Sequence, residues 1–331
     1  MSVIFRIIYI SLFATLLLQA CGGLDDNDFI DSDELARRDD VTINNFLSDN
    51  NITAERDGGT GIYYTVDVEN NAGESGSGKI CGIYYKVSLL EGESFDEHNP
   101  TDGESILLKQ GSNAILPVGL DFGLNLMNTG ETFTFYLPSK YAFGGLGFSN
   151  IVPGNSILKL EVTLDRVMNA VDLLQLETAI IDEFIEDNEL NDLDKNPVDE
   201  VQSLNSGVRF KKLQEGTGTE APQTGQRVGV SYKGTFLDGK IFDETTEDVI
   251  FRYNFDRQEV IPGFDQGIGQ LKLGEKGLII IPSNSAYGQS VRVIPAFFKS
   301  DLITNRIIPG YVGSIDPYSI LLFEIELKEI Q

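Results

Sequence analysis

Val228 to Glu244 reads VGVSYKGTFLDGKIFDE, and two related pieces follow it: VIFRYNFDRQEVIPGFDQGIGQL from Val249 to Leu271 and IIIPSNSAYG from Ile279 to Gly288. In the first piece Val228, Val230 and Tyr232 alternate with Gly229, Ser231 and Lys233, the period of two expected for a strand with one buried face. Asp238-Gly239 then supplies hairpin-turn chemistry, because glycine takes positive φ at no steric cost. Beyond the turn, aromatic and aliphatic residues crowd together: Phe242, Phe251, Tyr253, Phe255, Val260, Ile261 and Phe264. The acid Asp243 sits directly against the first of them.

From about Gly207 to Gln331 this order of residues resembles the FKBP-type peptidyl-prolyl cis/trans isomerases. The resemblance is carried by Tyr232, Phe242-Asp243, Phe251, the run from Gln258 to Phe264, Ala286-Tyr287-Gly288 and Phe323. It implies a half-wrapped antiparallel β-sheet around one short helix near Gly263 to Leu271. It also implies a proline pocket lined by Tyr232, Phe242, Phe251, Val260, Ile261, Phe264 and Phe323. On the same resemblance the Ile261 N–H and the Tyr287 hydroxyl would donate to substrate carbonyls. Asp243, held by Tyr232, would act at the pocket edge. Two departures stand out. Phe264 occupies a floor position where the family usually has Trp, and the stretch from Gln289 to Asp316 is far longer than the loop of small family members.

The rest of the chain repeats this unit. Tyr85 and Phe95-Asp96 precede Tyr232 and Phe242-Asp243 by one constant interval (232 − 85 = 243 − 96 = 147), and Gly119 and Phe143 precede Gly263 and Tyr287 by another (263 − 119 = 287 − 143 = 144). Phe46-Leu47-Ser48-Asp49-Asn50 recurs as Phe184-Ile185-Glu186-Asp187-Asn188. Intervals held over so many positions mark a duplication. The expected fold class is therefore α+β: two FKBP-like domains joined by a helical linker. The boundaries are a leader at 1–20, an acidic tether at 21–40, a first domain at 41–168, a linker at 169–205 and a second domain at 206–331. Within these, 41–52 is expected to form a short helix. Leu173, Leu176, Ile180, Ile181, Phe184 and Ile185 place the apolar stripe of a longer one on 169–190. The first copy lacks Tyr287's hydroxyl, having Phe143. It has Pro117, without an N–H, for Ile261, and Leu120 and Leu160 for Phe264 and Phe323. It reads as a weak or inactive copy, a spacer or a protein-binding module.

The N-terminus carries Arg6 and then an apolar run, Ile7 to Leu18, too short to span a bilayer comfortably. Leu18-Gln19-Ala20-Cys21-Gly22-Gly23 closes it in the manner of a signal peptide and resembles a bacterial lipobox, which would make Cys21 the lipidated residue. Acyl chains on Cys21 would supply the membrane attachment. The expected location is thus the bacterial cell envelope, lipid-anchored at the outer membrane, on its periplasmic or surface face. The 331 residues carry a formal net charge of −26, which argues against nucleic acid, whose phosphates would be repelled, and against charge-driven binding to anionic lipid. With Cys21 acylated, Cys81 is the one thiol left, which excludes an intramolecular disulfide. In its strand-like run it reads as a small buried hydrophobe.

The inventory excludes several chemistries. His98 is the only histidine; it falls in a polar stretch and reads as exposed, with no nucleophile marked beside it. No P-loop is present. Asp192 to Asn196 copies the start of a calcium loop, but Pro197 and Ser203 stand where glycine and glutamate are needed. No metal and no cofactor is expected. Prolyl isomerisation needs none, because its obstacle is amide resonance, roughly 20 kcal/mol. The expected function is peptidyl-prolyl isomerisation of envelope or exported proteins by the second domain. The expected partners are proline-containing polypeptide clients, met by a monomer. The alternative is a non-catalytic, chaperone-like assembly lipoprotein, for which the apolar pieces Val293–Phe298 and Ile307–Tyr311 of the long loop would offer exposed binding residues.

Overall fold

The computed structural model describes residues 32–112, 114–148, 151–192, 200–246, 249–308, 310 and 315–331. The leader, Cys21, the first part of the tether and the calcium-like stretch after Asp192 lie outside the described residues. The helices are α1 (Ser32–Asp49), α2 (Val118–Leu124), α3 (Ala170–Asp187), α4 (Pro262–Ile268) and α5 (Lys299–Thr304). The chain divides into two units. One runs through Val167 and takes in Arg292–Asn305; the other gathers Met168–Val291 and Arg306–Gln331.

Each unit is built on one antiparallel sheet in the same order. In the second unit the strands run Gln202–Ser203, Arg209–Gln214, Lys276–Ile281, Leu321–Ile330, Arg227–Thr235 and Ile241–Glu244 from edge to edge, with Phe251–Asn254 also paired to Arg227–Thr235. In the first they run Glu55–Arg56, Tyr63–Val68, Thr132–Leu137, Leu158–Met168, Ile80–Leu89 and Ser94–His98, with Ile106–Lys109 paired to Ile80–Leu89. The duplication read from residue intervals is thus a duplication of topology. Register agrees with it: Leu160 lies opposite Phe135, and Phe323 opposite Ile279. Along Leu321–Ile330 the residues Leu321, Phe323, Ile325 and Leu327 are buried while Glu324 and Lys328 are exposed, as the alternation requires.

Each unit also owns the helix that precedes its sheet. Asn169 caps α3 through a reciprocal box with Asp172, which satisfies otherwise orphaned N–H groups. Ile181 and Ile185 of α3 then pack on Ile280 of the sheet. From the same face the buried Glu177 accepts the Ser283 N–H at 2.9 Å. In the first unit Asp39 of α1 accepts the Ser139 N–H at 2.8 Å and the Ser139 hydroxyl at 2.5 Å. This corrects the expected tether up to residue 40 and helix start at 41, since α1 begins at Ser32. Its acidic first turns look solvated in sequence, yet Asp39 is 1% exposed and is consumed by a turn a hundred residues away.

Three smaller expectations meet the structure here. Cys81 is fully buried, and burial pushes its thiol up to about 12. His98 is half-buried and ends the strand Ser94–His98, its Nε2 lying 2.8 Å from the Glu104 carbonyl; it is not the exposed loop residue expected. Of the apolar piece Val293–Phe298, expected to be exposed, Val293, Ile294 and Phe298 are buried in the first unit while Phe297 is exposed. Tyr311 lies outside the described residues.

Burial holds the Glu177 carboxyl above the ordinary carboxylate range, against the opposing pull of its Ser283 hydrogen bonds. Its Oε1 is buried with no partner among the described residues. A carboxyl that binds its proton more tightly folded than unfolded lends stability below its ordinary value and loses it as pH rises through the folded value. Denaturant unfolding from pH 4 upward should show this loss in the wild type. Glu177→Gln, which keeps an acceptor for Ser283 and cannot ionise, should show a shallower decline; parallel curves would refute the assignment.

Candidate functional site

The second unit gathers its aromatic residues into one cluster. Tyr232 points inward from Arg227–Thr235, Phe323 from Leu321–Ile330, and Phe264 rises from α4 between them. The Phe264 and Phe323 rings meet edge to face at 5.1 Å between centroids. Tyr232 meets Phe251, Phe264 and Phe323 at 6.0, 5.8 and 5.9 Å, in each case near perpendicular. Phe242 meets Phe323 at 5.4 Å. Such edge-to-face contacts are favoured by the ring quadrupole, and they fix the rings as walls and floor. Val260 and Ile261 belong to the same buried cluster, and Phe242, Phe251 and Tyr287 pack against it half-exposed. Every sequence-expected pocket residue of this unit is therefore brought together.

The polar groups are few. The Tyr232 hydroxyl donates to Asp243 Oδ2 at 2.6 Å. Burial and, secondly, the charge of Asp243 push the Tyr287 hydroxyl up to about 12, so it stays a neutral donor. Ile261 is the extended N-cap of α4, with Pro262 at the first helical position, where proline's missing N–H costs nothing. The Ile261 carbonyl accepts from Phe264 and Asp265. Among the described residues no backbone acceptor takes the Ile261 N–H.

Sequence reading missed the supports of this pocket. Tyr253 donates to Asp265 Oδ1 at 2.8 Å, and the Asp256 N–H donates to Oδ2 at 3.0 Å. Burial raises the carboxyl of Asp265 despite those bonds. This pair ties α4 to the strand Phe251–Asn254. Ile315 joins the buried cluster from the return of the long loop. Gly234 matters because a Cβ there would lie 2.7 Å from Phe242 Cζ and 3.0 Å from Phe323 Cε1. Its only sequence signal is a glycine inside an otherwise ordinary strand.

The first unit keeps the frame and changes the lining. Tyr85 donates to Asp96 Oδ2 at 2.6 Å, the counterpart of the Tyr232–Asp243 bond. Pro117, the N-cap of α2, stands where Ile261 caps α4. Leu120 and Leu160 are fully buried where the second unit has rings.

The family model of FKBP-type peptidyl-prolyl cis-trans isomerase matches residues 72–165 and 218–328. The chain belongs to that family, and carries two copies of its domain. Peptidyl-prolyl cis-trans isomerase Fkbp12 of Drosophila melanogaster is 31% identical over 126 residues, 38% of this chain and 99% of its own. FK506-binding protein 4 of Dictyostelium discoideum is 33% identical over 133 residues, 40% of this chain and 31% of its own. Peptidyl-prolyl cis-trans isomerase FKBP9 of Rattus norvegicus is 27% identical over 219 residues, 64% of this chain and 31% of its own. The chain thus spans under a third of the length of these last two relatives.

Gly234→Ala should force Phe242 and Phe323 apart. Overpacking of a well-filled core costs roughly 1–3 kcal/mol, which a denaturation midpoint would read. A variant as stable as the wild type would mean that the rings yield freely and do not wall the pocket.

Proposed function

We propose that the second unit is a peptidyl-prolyl cis/trans isomerase acting on X-Pro bonds of polypeptide clients. The observation that carries this reading is the Tyr232–Asp243 hydrogen bond, set beside a neutral Tyr287 donor over an aromatic floor 1% exposed at Phe264. The planar amide owes its barrier of about 18–20 kcal/mol to resonance. The twisted transition state has lost that resonance and is less dipolar, so a dry site favours it over the hydrated ground state. Phe264 and Phe323 would hold the proline ring while the preceding residue turns. The Ile261 N–H and the Tyr287 hydroxyl would fix the flanking carbonyls. Asp243, engaged by Tyr232, would polarise the pocket edge.

The activity is assigned to the second unit because the first has lost both donors and two rings, at Pro117, Phe143, Leu120 and Leu160. The cellular reading rests on sequence: with Cys21 acylated, the chain would be tethered to a bacterial envelope membrane and would serve envelope or exported clients. Among the described residues no helix is long and apolar enough to cross a membrane, and the proposed anchor needs none.

In a protease-coupled assay with a proline tetrapeptide, the full chain should accelerate isomerisation. Asp243→Ala and Tyr287→Phe should each lower kcat/KM about tenfold, equivalent to about 1.4 kcal/mol of transition-state stabilisation. A folded wild type no faster than buffer would favour the non-catalytic binding lipoprotein instead. Independently, labelled palmitate fed to a bacterial host should appear in the full chain and be absent from Cys21→Ser. Equal labelling of the two would remove the anchor.

A further inference from the structure

The first unit has a feature that its sister lacks. Residues Arg292–Asn305, which interrupt the sequence of the second unit, fold as part of the first. Arg292 and Val293 pair in parallel with Ile115 and Leu116. The Arg292 N–H donates to Ala114 O at 2.7 Å and the Ile294 N–H to Leu116 O at 2.8 Å. The Arg292 guanidinium, 7% exposed, donates to the Leu107 carbonyl at 3.2 and 3.1 Å. Further along, Phe298 is fully buried. Its ring stacks on Phe148 at 4.6 Å, meets Phe143 edge to face at 5.3 Å, and lies 6.5 Å from Phe95.

The duplication shows what these partners are. Phe95 and Phe143 are the counterparts of Phe242 and Tyr287, the half-exposed rim of the second unit's pocket. Ile115-Leu116 precedes the cap of α2 as Glu259-Val260 precedes the cap of α4. The inserted segment therefore lies along the edge beside the cap and puts one aromatic ring between the rim residues. Extended-strand addition followed by a side chain in a pocket is how a sheet edge recognises a peptide.

We propose that the groove of the first unit is a peptide-binding site for an extended apolar segment with an aromatic anchor, and that Arg292–Phe298 is its resident, intramolecular ligand. The substitutions that remove isomerase chemistry from this unit fit such a role. Pro117 cannot donate, so the segment is held through its own N–H groups donating outward to the Ala114 and Leu116 carbonyls. The loss of rings at Leu120 and Leu160 is accompanied by rings supplied from Phe148 and from the segment itself. A tethered ligand faces its site at an effective concentration in the millimolar range, so a free peptide of the same kind is excluded until the segment leaves. The proposal does not depend on activity in the second unit.

The test uses the full chain and a fluorescent peptide copying residues 289–301, read by anisotropy. Wild type should bind the probe at least about a hundredfold more weakly than a chain in which 291–299 is replaced by glycine and serine, given that effective concentration. Probe binding to the replaced chain should be lost when Phe143→Ala is added, and lost when the probe's own Phe298 position is alanine. Equal binding with and without Phe143→Ala would locate the probe elsewhere and overturn the proposal, as would a folded replaced chain that ignores the probe. A second measurement needs no variant. Hydrogen exchange on the wild type should show the Ile294 amide opening by local release, faster than amides of Leu158–Met168 and with little denaturant dependence. Exchange of Ile294 only together with that strand, at global unfolding, would make the segment plain core and refute the ligand reading.

Discussion

The close approach of a short helix to a sheet is the constraint on which each unit depends. A side chain at Gly267 would collide with Ile279, and one at Gly263 with Ile281. Four residues apart on a helix means one face, so α4 presents a bare strip to the strand Lys276–Ile281. The first unit repeats the solution: Cβ atoms at Gly119 and Gly123 would lie 2.8 Å from Leu137 and from Phe135. With the backbone this close, the residue after the first glycine is buried against the sheet, Phe264 in one unit and the smaller Leu120 in the other. The residue two before that glycine becomes the helix cap, which sets where a free N–H can point. The place of the helix and of its cap thus follows from two absent side chains.

Frame and chemistry then prove separable. The first unit keeps the glycine strip, the Tyr–Asp bond and the carboxylate that catches the serine opening the next turn, as Asp39 with Ser139 and Glu177 with Ser283. The two carboxyls hold backbone in place, and losing either leaves the buried serine N–H unpaired. The donors and rings differ instead. Exchanging Tyr for Phe at Phe143 removes a hydroxyl and keeps a packed ring, and proline at the cap of α2 fits the extended backbone there. A duplicated domain can drift at its lining while its scaffold stays fixed.

The pocket was legible because its residues keep a fixed order along the chain and each carries a distinctive side chain; Tyr232, Asp243 and Tyr287 needed no contact map. Topology was legible through the repeat intervals. What sequence could not show were pairings between distant segments. Asp39 looks like one more acid in an acidic stretch, and only Ser139 makes it a buried acceptor that carries α1 back to Ser32. Val293 and Phe298 look like an exposed apolar loop until Ile115 and Phe143 cover them. His98 reads as a lone polar residue until the Glu104 carbonyl meets its ring. Gly234 is silent for a different reason: its role is the space that Phe242 and Phe323 occupy.

The electrostatics of the second pocket bear on why so few polar groups are present. A buried site cannot hold charge without bearing its desolvation. Both influences on Tyr287 act in one direction, since burial and the neighbouring Asp243 each disfavour the phenolate. The donor is therefore neutral across the whole physiological range and needs no partner to keep it so. The Asp243 carboxyl stands at the half-exposed rim and accepts from the Tyr232 hydroxyl. At Asp265, with two donors already on it, burial still raises the carboxyl. Asp243 accepts from Tyr232 at the half-buried rim, while Asp265 holds α4, and with it Phe264, to the strand Phe251–Asn254.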